Sequence, residues 1–250
     1  MKTFQNSWVR DGCMTVAAML VLALAACATP SAQVSTGPYQ AVLSDPMRTE
    51  RDRGMDARRH PAELLEFAQV RPGMRVLDIS TGAGYTSQLL ALAVGPSGKL
   101  WAQTPKPGAA LMERMGAHPQ LNFEVTARPF EDPVAPEAVP LDLVTLILNY
   151  HDISYLPVDR DLMNGKTFAA LKPGGHYVIV DHSALPGTGI TAGKTLHRID
   201  EAFVIAEVER AGFKLEAKGD FMRNPADTRA GSSNDPTPLS DKFALRFVKP

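Results

Sequence analysis

The residues best suited to chemistry are two His/Asp pairs, in Asn149-Tyr150-His151-Asp152 and in Asp181-His182. An imidazole beside a carboxylate can take or give a proton near neutral pH, so either histidine could act as a base with Asp152 or Asp181 orienting its ring. A plainer reading makes the same residues loop hydrogen bonds that close strands and helices, although loop positions favour function. A third gathers them with His197 or Asp200 around a divalent cation, but spacing alone assigns no metal ligands. Earlier in the chain, Asp78-Ile79-Ser80-Thr81-Gly82-Ala83-Gly84-Tyr85 sets two glycines before a helix start. Such a turn lets backbone approach a ligand closely and offers it free N–H groups. His60 and His118 adjoin prolines in turns and read as surface residues.

These groups need a scaffold. Residues 74–79 form an apolar strand and 85–94 a helix, which together make a βα unit. The alternation continues through a strand at 99–103, a helix at 108–115 and a strand at 121–126. Next come a nearly all-apolar strand at 141–148, a helix at 159–171, a strand at 176–181 and a helix at 198–211. Strands at 213–217 and 242–248 follow with no helix between them. The pattern predicts an α/β fold: a Rossmann-like, doubly wound, seven-stranded sheet, mostly parallel with an antiparallel last strand and helices on both faces. Ligands in such sheets lie beyond the carboxyl ends of the strands, where both chemical groups fall.

Three further stretches invite local readings. The basic run from Arg48 to Arg59 is interleaved with Glu50, Asp52 and Asp56 and reads as a solvated helix face. Arg198 and Asp200 open a helix and could pair locally, and Trp101 reads as core. Residues 221–240 form a polar loop long enough to act as a lid or to be disordered.

The 250 residues carry a formal net charge of −1 and are 44% hydrophobic, enough for one sizeable core. No overall field draws in nucleic acid or an anionic membrane, which leaves a small molecule as the expected partner; oligomeric state stays open. Lys2 and Arg10 precede an apolar run at 14–26, too short to span a bilayer and suited to a signal peptide. It ends Leu24-Ala25-Ala26-Cys27, which resembles a bacterial lipobox and makes Cys27 a lipidated first residue; ordinary cleavage after Ala28 is the alternative. The expected organisation is a signal at 1–27, a flexible tether at 28–44 and a domain at 45–250, on the periplasmic side of the envelope with a lipid anchor as its only membrane contact. Cys13 and Cys27 are the two cysteines, so the domain has neither a disulfide framework nor a thiolate zinc site.

The glycine turn after Val76-Leu77-Asp78 resembles motif I of class I S-adenosylmethionine-dependent methyltransferases. The strand order, Leu171-Lys172-Pro173-Gly174-Gly175 and Glu209-Arg210-Ala211-Gly212-Phe213 are similar to that family too, over roughly residues 50–250. A closer likeness, through Arg53, Asp56, Arg59, Gly84-Tyr85-Thr86, Trp101-Ala102-Gln103, Tyr150-His151-Asp152 and Asp181-His182, is to exported predicted methyltransferases.

The resemblance implies S-adenosylmethionine as cofactor, framed by Asp78, Ser80, Gly82, Gly84 and Tyr85, with Gln103 and Thr104 facing its ribose. It puts the acceptor beside His151, Asp152, Asp181 and His182. Two departures stand out: Ser80 replaces the usual first glycine, and Gln103-Thr104 replaces the acid that normally holds the ribose. They leave open a second reading, in which a non-catalytic envelope lipoprotein uses the fold to bind another nucleoside or metabolite.

Overall fold

A computed structural model describes residues 37–250; the signal, Cys27 and residues 28–36 lie outside them. A seven-stranded sheet runs β3-β2-β1-β4-β5-β7-β6. Its strands are β1 (Arg75–Ile79), β2 (Lys99–Thr104), β3 (Phe123–Ala127), β4 (Leu141–Ile147), β5 (Leu171–His182), β6 (Lys214–Gly219) and β7 (Lys242–Val248). The first five pair in parallel, and β7 slots antiparallel between β5 and β6. The predicted doubly wound sheet is therefore present, and its last strand is reversed.

Side chains alternate across the strands, and each face buries its own core. Leu77, Ile79, Leu146, Tyr177, Ile179, Phe243 and Leu245 pack under α6 (Tyr150–Ser154), α7 (Arg160–Ala170) and α9 (Glu201–Arg210). Val76, Leu100, Leu143, Val178 and Val180 pack under α3 (Pro61–Phe67), α4 (Tyr85–Val94) and α5 (Ala109–Ala117). Two one-turn helices, α1 (Gln40–Leu43) and α8 (Gly193–Leu196), and α2 (Glu50–Arg59) complete the set. Among the described residues no helix is long and apolar enough to cross a membrane.

Three local expectations need correction. The tether expected up to residue 44 does not extend that far. Tyr39 packs against the second core, and its hydroxyl donates to the Leu65 and Val70 carbonyls.

The stretch from Arg48 to Arg59 is solvated at Glu50, Arg51, Arg53 and Arg58, as expected, but not at Arg48 and Asp52. Arg48 and Asp52 are each only 2% exposed, because Arg48 bonds Asp56 and the Leu43 carbonyl while Asp52 bonds Arg114. Thr49 and Asp52 also form a capping box that starts α2.

Arg198 and Asp200 do not pair. Arg198 bonds Asp227 at 2.8 Å and two carbonyls, whereas Asp200 caps α9 and accepts the Gly187 N–H. The Arg198–Asp227 pair fastens the 221–240 loop to the body.

Candidate active site

A cleft of about 500 Å³ opens at the carboxyl edge of β1, between the glycine turn, α2 and α5. Ser80, Gly82, Ala83, Tyr85, Arg59, Glu113, Arg114 and Asn149 contribute to its lining. A Cβ built on Gly82, whose φ is +56°, would meet nothing within 4 Å. The turn therefore faces open space, and a ligand can lie directly against its backbone. Ser80 does not close it. Its backbone is left-handed (φ +61°), its N–H donates to the Gln103 side chain and its carbonyl accepts from Asn149.

The other expected cofactor residues divide into those that face the cleft and those that build it. Asp78 is buried and accepts the hydroxyls of Ser87 (2.5 Å) and Thr145 (2.6 Å), so its side chain locks β1 to α4 and β4. Burial pushes its pKa up to about 6 against the opposing pull of both hydroxyls. Gln103 is fully buried: its carbonyl receives the Ser80 N–H and its amide donates to the Arg128 carbonyl. It braces the turn and does not face a ribose. Thr104, at the end of β2, is half-buried.

Tyr85 donates its hydroxyl to Asp56 at 2.7 Å, and the Arg48 and Arg59 guanidinium groups lie 5.7 Å from its ring centre. Its ring thereby binds α4 to α2.

Sequence reasoning missed the part played by α2. Arg59 lines the cleft but enters no ion pair or hydrogen bond among the described residues, and burial lowers its pKa. Asp52 and Arg114 join at 2.7 and 2.9 Å across the cleft wall, and Arg114 also donates to the Ala83 carbonyl. The interleaved charges and the Thr49-x-x-Asp52 box both signal this helix, but neither shows which face is buried.

Both His/Asp pairs do meet, at the ends of β4 and β5. Asp181 accepts the His151 backbone N–H at 2.8 Å and lies 2.6 Å from its Nδ1. Burial opposes a charged imidazole there, but Asp181 and Asp152 outweigh it and raise the His151 pKa to about 10. His182 goes the other way: burial outweighs Asp181 and lowers it to about 3, while its Nδ1 sits 2.7 Å from the Ser240 hydroxyl. The two rings meet edge to face at 5.6 Å. The carboxylates thus favour the charged form of His151, and burial favours the neutral form of His182. Asp152, half-buried, is held down at about 2: burial raises it, but His151, Tyr155 and His197 prevail.

A family model described as protein-L-isoaspartate(D-aspartate) O-methyltransferase matches residues 27–103. The ubiquinone/menaquinone biosynthesis C-methyltransferase UbiE of Burkholderia ambifaria (strain MC40-6) is 26% identical over 163 residues, covering 62% of this chain and 63% of that protein. The UbiE protein of Cupriavidus metallidurans is 30% identical over 124 residues, 46% of each chain. The chain thus spans less than two thirds of the curated relatives it matches.

Among solved structures, a SAM-dependent methyltransferase from Aquifex aeolicus superposes with a TM-score of 0.58 at 18% identity, covering 80% of this chain and 97% of that one. The N-methyltransferase NodS of Bradyrhizobium japonicum WM9 superposes at 0.57 and 15% identity, covering 80% and 99%. At such identities the structures speak for the fold alone. The fold is that of class I S-adenosylmethionine-dependent methyltransferases, and parts of the sequence are similar to methyltransferases.

Proposed function

We propose that this chain is an S-adenosylmethionine-dependent methyltransferase of a small-molecule acceptor, exported to the periplasmic side of the envelope and held there through Cys27. The observation that carries the reading is the open Gly82 turn on a cleft of about 500 Å³, within the usual range for a small-molecule site. S-adenosylmethionine, when bound, supplies an electrophilic methyl group on a sulfonium centre. The chain's own residues then have to hold it and present the acceptor. The turn at Gly82 and Ala83 lies open to a ligand, and the unpaired Arg59 offers charge to a carboxylate. Glu113, free of ion pairs among the described residues, gives the cleft the carboxylate that β2 lacks. On the acceptor side, Asp152 and Asp181 orient His151, while buried His182 stays neutral, holds the Ser240 hydroxyl and packs edge-on against the His151 ring.

Calorimetry with S-adenosylmethionine should show saturable binding that weakens at least tenfold in Gly82→Val, whose side chain would project into the cleft. No heat at millimolar ligand would end this reading. The export proposal is tested by fractionation: Cys27→Ser should move the protein out of the membrane fraction.

A second reading, binding without methyl transfer, is favoured by one observation: both amide atoms of Gln103 are engaged inside the fold. Incubation with methyl-labelled S-adenosylmethionine and envelope extract separates the two. Label recovered in a product supports transfer; saturable binding with no labelled product supports the second.

A further inference from the structure

We propose that His151, Asp152 and His197 form a site for one divalent transition-metal ion of the zinc type. Two of the residues come from α6 and the third follows α8, some distance away in sequence. One donor atom from each falls within 4.8 Å of the others. Asp152 Oδ1 lies 3.3 Å from His151 Nε2 and 3.4 Å from His197 Nδ1. These separations are longer than a good N–H···O bond. They match the edge of a coordination tetrahedron, which for bonds of about 2.0–2.1 Å is about 3.3 Å. Two imidazoles and one carboxylate suit zinc and its neighbours, and three protein ligands leave a position for water or substrate.

Two independent features set these donors in place. Asp181 lies against the far ring nitrogen of His151, so a proton on Nδ1 is held by the carboxylate and Nε2 is turned towards Asp152 and His197. A carboxylate behind a ligating histidine fixes its tautomer and orientation, and is the usual outer support of such ions.

The second feature is the close packing of α8 on α6. A Cβ on Gly193 would fall 2.8 Å from the Ser154 hydroxyl and 2.9 Å from the His151 carbonyl, so only glycine lets the two helices meet. His197 ends α8 in the left-handed region (φ +52°), a conformation unfavourable for a residue other than glycine. That backbone brings its ring edge-on to His151 at 5.7 Å. The His151 side chain is 4% exposed, against 37% for Asp152 and 36% for His197, so an ion there would be anchored inside and open to solvent on one side. The Tyr155 hydroxyl donates to Asp152 Oδ1 at 2.9 Å and steadies the carboxylate.

The test is a titration of chelator-treated full-length protein with zinc, and with cobalt as a spectroscopic substitute, both without S-adenosylmethionine. One equivalent should bind, with visible cobalt bands free of thiolate charge transfer. His197→Ala and Asp152→Asn, at part-exposed positions, should keep the fold by circular dichroism and weaken zinc binding at least 100-fold. Asp181→Asn should weaken it about 10- to 100-fold. Absence of stoichiometric zinc binding would overturn the site, and so would binding unchanged in His197→Ala, since the ion would then sit on other groups such as His60 or His118. Because no methyl donor is present, this result and that of the cofactor calorimetry can fail independently.

Discussion

Asp181 holds His151 at two points, through the backbone N–H at 2.8 Å and through Nδ1 at 2.6 Å. A carboxylate at the end of β5 thus fixes both the first turn of α6 and the direction of its imidazole. Asp181 also accepts the His182 N–H at 2.7 Å, so one fully buried side chain organises both loops.

Asp181→Ala should be among the most damaging single changes. It strands two backbone N–H groups and a charged imidazole, and breaking a buried charge pair typically costs about 3–5 kcal/mol. Urea unfolding measures the loss, and a value below about 1 kcal/mol would contradict the arrangement.

Asp52 gives a pH signature. Burial raises its pKa, but Arg114 and Thr49 outweigh that and hold it at about 2, below the usual 3.8 of an aspartate. A carboxyl group depressed on folding contributes stability above the unfolded pKa, and the contribution is lost as pH falls through the folded one. About 2 kcal/mol should therefore disappear between pH 4 and pH 2. Acid unfolding of Asp52→Asn should begin from a lower stability and lack that part of the slope.

Arg59→Met keeps much of the packing on Tyr85 and removes the charge. Binding of S-adenosylmethionine should weaken about tenfold and lose part of its salt dependence, with little change in Tm. Unaltered affinity in calorimetry would remove Arg59 from the site.

Ser80→Gly should raise Tm. Serine at φ +61° carries left-handed strain of about 1–2 kcal/mol, partly offset by glycine's extra freedom when unfolded, for a net gain of up to about 1 kcal/mol. A fall in Tm would show that the Ser80 hydroxyl does more for the turn than its backbone costs.

The sheet was legible because it follows from short-range pattern. Apolar strands such as 141–148 alternate with amphipathic helices, and the missing helix between the last two strands forced an antiparallel finish. Gly82 and Gly84 were legible as turn residues for the same local reason, since both take the positive φ that favours glycine.

Side-chain partners were not legible. Gln103 was expected at a ribose, yet it braces Ser80, because its orientation depends on Arg128, 25 residues further along. Arg48 and Asp52 looked solvated because an alternating charge run has the same composition whether it faces water or pairs with Asp56 and Arg114.

The order of residues by itself determined the class of fold and the edge at which chemistry would lie. Hydrophobic periodicity and glycine placement are local properties, carried by each segment. Only the tertiary structure decided that Asp181 turns His151 towards Asp152 and His197, and that α2 walls the cleft. Those contacts join segments far apart in sequence, and their geometry exists only once both cores have packed.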